Sequence, residues 1–460
     1  MRKPSVGWRW LAGLSLVSGL SVAGSGALAD DAKPSVSSQV SFAPQRLTLS
    51  NGLTVLLVPD PTATQVTLRI TWDLGTKDDP EDMRGMAEVI ERLLEDPSTR
   101  HVRRETRQSL IRTLGIEEWK TDVNAAFDHT AVSVSMPSSD VLVALWLESD
   151  RMGFLLDGTD DPVITEKASS TTPQGWDEEP TFRLGRAALF GKHHPYGGEM
   201  DLSGLTTKAV REQIRKYLVP RNTVLALVGG FDAKVAKAQI EEDFGSLADL
   251  PKPAAAVAPS VPLTGEKRVR GEAGIPLSHV GMVWATPSFL NPEDAAFDGL
   301  AYILDDRLTK KHVQGSKAMA YVDVHQASMK LASVFEARVT VGPGHTEQEV
   351  EGLLDEEIEK MRTEGPTADE VKQASRTYLL NRTLDFTRTA NRAYVASVSL
   401  LIVDDAAFAP KWFGAYETLT ADKIKSAAAK YLGKSQRVVV TVTPNPRAPS
   451  FGRALRGGGL

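Results

Sequence analysis

The sequence predicts an α+β protein of two homologous domains, each a mixed, largely antiparallel sheet with helices packed on it. Three observations carry this. The stretch "DLPKPAAAVAPSVPLTG" at 249–265 has four prolines and no aromatic residue, the composition of an extended linker between folded units. The chain also repeats itself across that linker: "LTTKAVREQIRKYL" at 205–218 is similar to "LTADKIKSAAAKYL" at 419–432, an offset of 214 residues. Finally, strand and helix patterns within each half do not alternate strictly, which favours helices segregated onto a sheet over βαβ units.

Taken in order, residues 1–29 carry Arg2, Lys3 and Arg9, the apolar run "WLAGLSLVSGLSVAG", and "ALA" before Asp30. That is the pattern of a secretory signal cut after Ala29, and Gly and Ser interrupt the run too often for a membrane anchor. The mature chain is therefore expected in the periplasm or outside the cell. No later stretch approaches the ~20 apolar residues of a membrane span.

The first domain is assigned to 45–248 and the second to 266–446. Each half reads as a strand pair ("LTVLLVPD" and "QVTLRITWDLG" in the first), a helix, more strand ("TAVSVSMP"), long helices, and a final helix and strand. The final strands are the β-branched "NTVLALVGG" and "QRVVVTVTP". The same offset lays Gly85 of "GMAEVIERLL" on Gly299 of "GLAYILDDRL". Both helices follow a "PED" triplet, and Trp72 and Trp284 close strands just upstream.

Composition narrows the chemistry. The 460 residues are 42% hydrophobic and 24% charged, a globular balance, and contain no cysteine. Disulfides, thiolate metal sites and a lipoprotein anchor are excluded, so any metal must be held by His, Asp or Glu. Loss of the signal takes the formal charge from −6 to −9. So acidic a chain is a poor nucleic-acid binder, and its one basic block, "RHVRRETR" at 100–107, reads as a solvated helix face.

The chemistry-bearing stretch is "GMAEVIERLLE" at 85–95. Residues four apart share a helix face, so two histidines at i and i+4 can grip zinc while a Glu at i+3 serves as general base. "GMAEVIERLL" resembles the GxAHxxEHxL helix of the insulinase/pitrilysin metalloproteases. The resemblance runs over roughly 45–445, taking in "NAAFDHT" at 124–130, "LWLESDRMGFLL" at 145–156, "HPYG" at 194–197, "YLVPRNTVLALVGGFD" at 217–232 and "TEGPTADEVKQA" at 363–374. It implies a clamshell whose two homologous domains enclose a peptide-binding chamber, with zinc on the first domain.

Carried over residue by residue, the resemblance puts Glu88 and Arg92 at the two histidine positions and Glu91 at the base. The third ligand position falls between Thr171 and Gln174, in "TTPQ", where no residue is an acid, with Glu166 the acid that precedes it. Zinc is thus the family's expected cofactor, and none is predicted here. Two carboxylates suit Ca or Mg better than zinc but offer too few oxygens, and Arg92 repels a cation. Glu88 four residues before Arg92 is instead oriented for a helical ion pair of roughly 0.2–0.5 kcal/mol. His193 and His194 are adjacent and cannot grip one ion as an i, i+4 pair does. His129, His279, His312, His325 and His345 are isolated and read as hydrogen-bonded or exposed.

In the second domain the resemblance implies an Arg and a Tyr seven residues apart that hold the substrate carbonyl. "RLTKKHVQGSKAMAYVDVHQ" puts Tyr321 at the Tyr and Gln314 at the Arg, which keeps a donor and loses the charge. Tyr321 as a plain strand residue is the alternative. Three functions stay open: an inactive homologue that binds peptide as a homodimer or beside a zinc-bearing partner, an endopeptidase with an unorthodox site around Glu91, and a structural subunit of a larger complex.

Overall fold

The computed structural model describes residues 42–114, 120–171, 179–191, 196, 200–258 and 263–448. The signal segment, positions 172–174, His193 and His194 lie outside the described residues. The first half forms a six-stranded sheet from β1 (Gln45–Thr48), β2 (Thr54–Pro59), β3 (Gln65–Trp72), β4 (Lys120–Ala125), β5 (Thr130–Pro137) and β6 (Thr223–Gly229), ordered β1-β2-β6-β3-β5-β4. The second half gives β7 (Lys267–Ala273), β8 (His279–Thr286), β9 (Met319–Ala327), β10 (Ser333–Val341) and β11 (Arg437–Pro444), ordered β7-β11-β8-β10-β9. Without β1 the two orders coincide. Each sheet has one parallel pair, β2 with β6 and β7 with β11, and is otherwise antiparallel. The fold is therefore α+β and internally duplicated.

The helices of the first half are α1 (Met86–Glu95), α2 (Arg104–Thr113), α3 (Val141–Gly158), α4 (Asp161–Ser170), α5 (Pro180–Phe190), α6 (Thr207–Tyr217) and α7 (Ala233–Gly245). Those of the second are α8 (Asp294–Leu308), α9 (Glu347–Thr363), α10 (Ala368–Phe386), α11 (Thr389–Val403), α12 (Ala409–Glu417) and α13 (Ala421–Tyr431). The repeated segments are α6 and α13, and the repeat extends to their caps. Thr206 accepts a hydrogen bond from the Ala209 N–H, and Thr420 accepts one from the Lys423 N–H. The described residues of the Pro-rich stretch 249–265 are neither helix nor strand.

One face of the first sheet, with Leu68, Ile70, Trp72, Val132, Leu225 and Leu227, packs on Val89, Ile90 and Leu93 of α1, Ile214 of α6 and Phe244 of α7. Its other face is covered by the second half: Ala226 and Val228 of β6 lie in one buried cluster with Ala393 and Ala396 of α11. The second sheet is treated in kind. Leu189 and Phe190 of α5 cluster with Val283, Val438 and Val440 of β8 and β11. Since α5 and α11 hold equivalent places in the repeat, each half lends one helix to the other's sheet. Strands covered on both faces lose polar alternation, which is why "NTVLALVGG" reads as an unbroken apolar run. Gly185 permits the close approach of α5, because a Cβ there would lie 2.5 Å from Val283 Cγ2.

Polar side chains tie the seam as well. Arg186 of α5 pairs with Glu336 of β10 at 2.5 Å, and Lys330 in the β9–β10 connection pairs with Asp73 at 2.8 Å. The Lys330 backbone N–H also donates to Asp128, at 2.7 Å.

Candidate functional site

Helix α1 begins at Gly85, whose φ of 103° suits glycine, and a Cβ there would meet Met200 Cγ at 2.7 Å. Asp79 fixes this start. Its carboxylate accepts the N–H groups of Gly85 at 2.8 Å and Ala87 at 3.0 Å. Burial, and then the charge of Glu88, push the Asp79 carboxyl well above its ordinary range. The counterpart helix differs: α8 starts at Asp294, so Gly299 lies inside it and is no cap. Asp294 takes the Ser328 hydroxyl at 2.8 Å, whereas Asp79 stays outside its helix as the capping group.

Along α1, Glu91 faces inward and is buried. Burial pushes its carboxyl up to about 8, with the negative charge of Glu95 adding to the effect. It accepts the backbone N–H of Ala125, at the end of β4. The ion pair expected between Glu88 and Arg92 is corrected: the Arg92 guanidinium lies on Glu95, 3.0 Å away. Arg92 thus reaches one turn onward, to the carboxylate at i+3, at the partly exposed end of the helix. Thr171 closes α4, donating its hydroxyl to the Lys167 carbonyl at 2.8 Å, and Glu166 lies 3.8 Å from Arg104 on the surface.

These residues do not fit zinc. The two histidine positions hold a carboxylate and a guanidinium that lies on Glu95, so neither offers the neutral imidazole nitrogen that zinc takes on such a helix. Among the described residues no three His, Asp or Glu side chains converge as a metal site would require.

Glu91 has a counterpart that the sequence comparison of the helices passed over. The 214-residue offset carries it to Asp305 of α8, which accepts the backbone N–H of Val324 on β9 at 3.1 Å. Burial pushes Asp305 to about 7. Strands β4 and β9 are edge strands of their sheets. In both halves, then, a carboxyl on the first long helix, buried at Glu91 and partly buried at Asp305, holds the backbone of an edge strand. The 214-residue offset carries this signal, which the i, i+4 ligand pattern at Glu88 and Arg92 does not.

Tyr321 lies on β9, 47% exposed, with the Arg338 guanidinium 5.1 Å from its ring centre. Gln314 is exposed in the π-helical turn Thr309–Gly315 that leads to that strand. The isolated histidines are hydrogen-bonded or buried: His279 on Glu179 at 3.1 Å, His345 on Glu349 at 2.9 Å, and His312 beside Ser316 at 3.4 Å. His129 is buried, which pushes its imidazole down to about 3. The basic block departs from the solvated helix face expected of it: Arg100 lies on Asp157 at 2.6 Å at the surface ahead of α2, but Arg107 of α2 is buried on Glu148 at 3.1 Å.

Known proteins share the duplicated α+β fold. Residues 204–378 match the family model described as Peptidase M16 inactive domain. The chain is 22% identical over 281 residues to the zinc protease PqqE of Helicobacter pylori, a match covering 57% of this chain and 61% of that protein. The structure of a protease from Helicobacter pylori superposes with a TM-score of 0.76 at 18% identity, covering 87% of this chain and 99% of that one. The M16 inactive domain protein of Pseudomonas fluorescens gives 0.74 at 17% identity, covering 89% and 100%. The periplasmic protease PqqL of Escherichia coli gives 0.73 at 15%, covering 94% of this chain and 49% of that chain. The chain is thus similar to M16-type peptidases in fold and, over 204–378, in sequence, and it spans about half the length of PqqL. Among its described residues no helix is long and apolar enough to cross a membrane.

Proposed function

We propose that this chain is a catalytically inactive M16-type homologue that works in the periplasm as the non-catalytic, peptide-binding subunit of a zinc peptidase. The observation that carries the reading is the state of α1: Arg92 lies on Glu95 where a ligand would stand, and Glu91 is a buried acid. A general base of this kind acts on a metal-bound water, and the Arg92 guanidinium beside Glu91 repels the cation that would supply it. Residues 1–29 have the composition of a cleaved signal, which supports export.

A helix of each half covers the other half's sheet in a buried cluster, which favours a peptide chamber formed with a second unit. The length ratio to PqqL supports this, since that protein is about two such units long. The second unit is a zinc-bearing homologue or another copy of this chain, and the exposed Tyr321 with Gln314 is the peptide-contacting pair. Co-expression with a zinc-bearing homologue tests the reading. Co-purification, together with an effect of this chain on the homologue's peptidase rate, is the expected result; a monomer without effect overturns it.

A further inference from the structure

Strand β9 is the open edge of the second sheet and carries Tyr321, and it is gripped from both faces by titratable side chains. On one face Asp305 of α8 accepts the Val324 N–H at 3.1 Å. On the other, His325 spans two carboxylates, with Nδ1 3.1 Å from Asp323 and Nε2 3.1 Å from Glu336. Glu336 is held in turn by Arg186 of α5, at 3.0 and 2.5 Å, so this grip reaches across the seam into the first half. Phe182 of α5 sets its ring edge-on to the imidazole, 4.8 Å between centres.

We propose that β9 is a proton-linked strap, clamped to β10 while His325 carries a proton on both ring nitrogens and loosened at its open edge as it loses one.

The charged groups around the two residues point the same way. Asp305 faces Asp306 on its own helix and Asp323 and His325 on β9. On helices packed against α8, Glu357 of α9 holds Lys311 and Glu370 of α10 holds Arg307. His325 faces Asp323, Glu336 and Arg186. Beyond them Arg338 lies 3.4 Å from Asp323 and 3.5 Å from Glu179, which also takes His279 of β8. Burial raises Asp305 to about 7, while Asp323 and Glu336 outweigh burial and raise His325 above its ordinary value. An imidazolium donates to both Asp323 and Glu336 whereas a neutral ring donates to one, so the clamped state binds the His325 proton more tightly than the open one and rising pH favours opening, from 6.5 upward. Asp305 is the fixed anchor, since a carboxyl that ionises still accepts the Val324 N–H.

The test is hydrogen exchange of the full chain from pH 5 to 9, corrected for the intrinsic rate. The expected result is that β9 amides lose protection relative to the central strand β8, by about tenfold per pH unit at most while one group titrates. Asp305→Asn keeps an acceptor for Val324 and should leave the slope above pH 6.5 in place. His325→Gln should flatten that slope. Wild-type β9 protection that does not change with pH relative to β8 overturns the proposal, as does a wild-type slope retained in His325→Gln. The readout involves neither peptide nor partner, so it stands apart from the role proposed for Tyr321.

Discussion

Arg186 and Glu336 form a two-pronged ion pair across the seam between the halves, with side chains 3% and 0% exposed. A bidentate pair in so dry a setting fixes position sharply, and breaking it leaves the surviving charge without compensation. Glu336→Leu should destabilise the protein by about 3–5 kcal/mol, because Arg186 remains buried. Denaturant unfolding measures this, and an unchanged midpoint would show that the seam does not depend on the pair.

Glu91→Gln should not weaken the protein at neutral pH. The sign follows from the raised carboxyl: folding favours the protonated acid, so stability falls as pH rises from its ordinary 4.5 to about 8. Glutamine keeps an acceptor for the Ala125 N–H and has no proton to lose. The variant should therefore be the more stable form above pH 8, by about 1–4 kcal/mol, and should lose this group's share of the pH slope. Thermal unfolding across pH 5–9 reads both. A Glu91→Gln slope equal to the wild-type slope would mean that the carboxyl is hydrated and charged.

The start of α1 depends on backbone geometry. Gly85→Ala forces a side chain into a left-handed conformation against Met200, and should cost about 1–3 kcal/mol. Asp79→Ala should cost about 0.5–2 kcal/mol by leaving the Gly85 and Ala87 N–H groups without their acceptor. Circular dichroism melts of both variants check the predictions.

Much of this architecture was legible in the chain. The 214-residue offset predicted two homologous α+β halves, and it recurs in the caps Thr206 and Thr420 and in the two strand orders. The exchange of α5 and α11 was not legible, because a helix apolar enough to be buried carries no mark of which sheet it will cover. Arg186 and Glu336 are 150 residues apart, and charged residues at that separation show no pattern in sequence. At the site, the resemblance to zinc peptidases located α1 and its altered positions. It suggested the wrong partner for Arg92, since Glu88 and Glu95 both lie within helical reach and only packing selects between them. The burial of Glu91 was equally hidden, since the sequence shows an amphipathic helix but not how closely Ala125 and β4 lie over it.

The partner reading predicts that Tyr321→Ala lowers affinity for an unfolded peptide while leaving the unfolding midpoint near wild type, because the ring is half exposed. Fluorescence anisotropy with a labelled denatured peptide reads the first and thermal melts read the second. Unchanged affinity would remove Tyr321 from the peptide-contacting surface.

The central claim is that α1 has the frame of a zinc-peptidase helix without its metal chemistry. The most direct test is the zinc content of the purified full-length protein after incubation with zinc and desalting, measured by elemental analysis. The account predicts zinc well below one equivalent, at a level that Glu91→Gln does not change. One equivalent retained through desalting and lost in Glu91→Gln would contradict it.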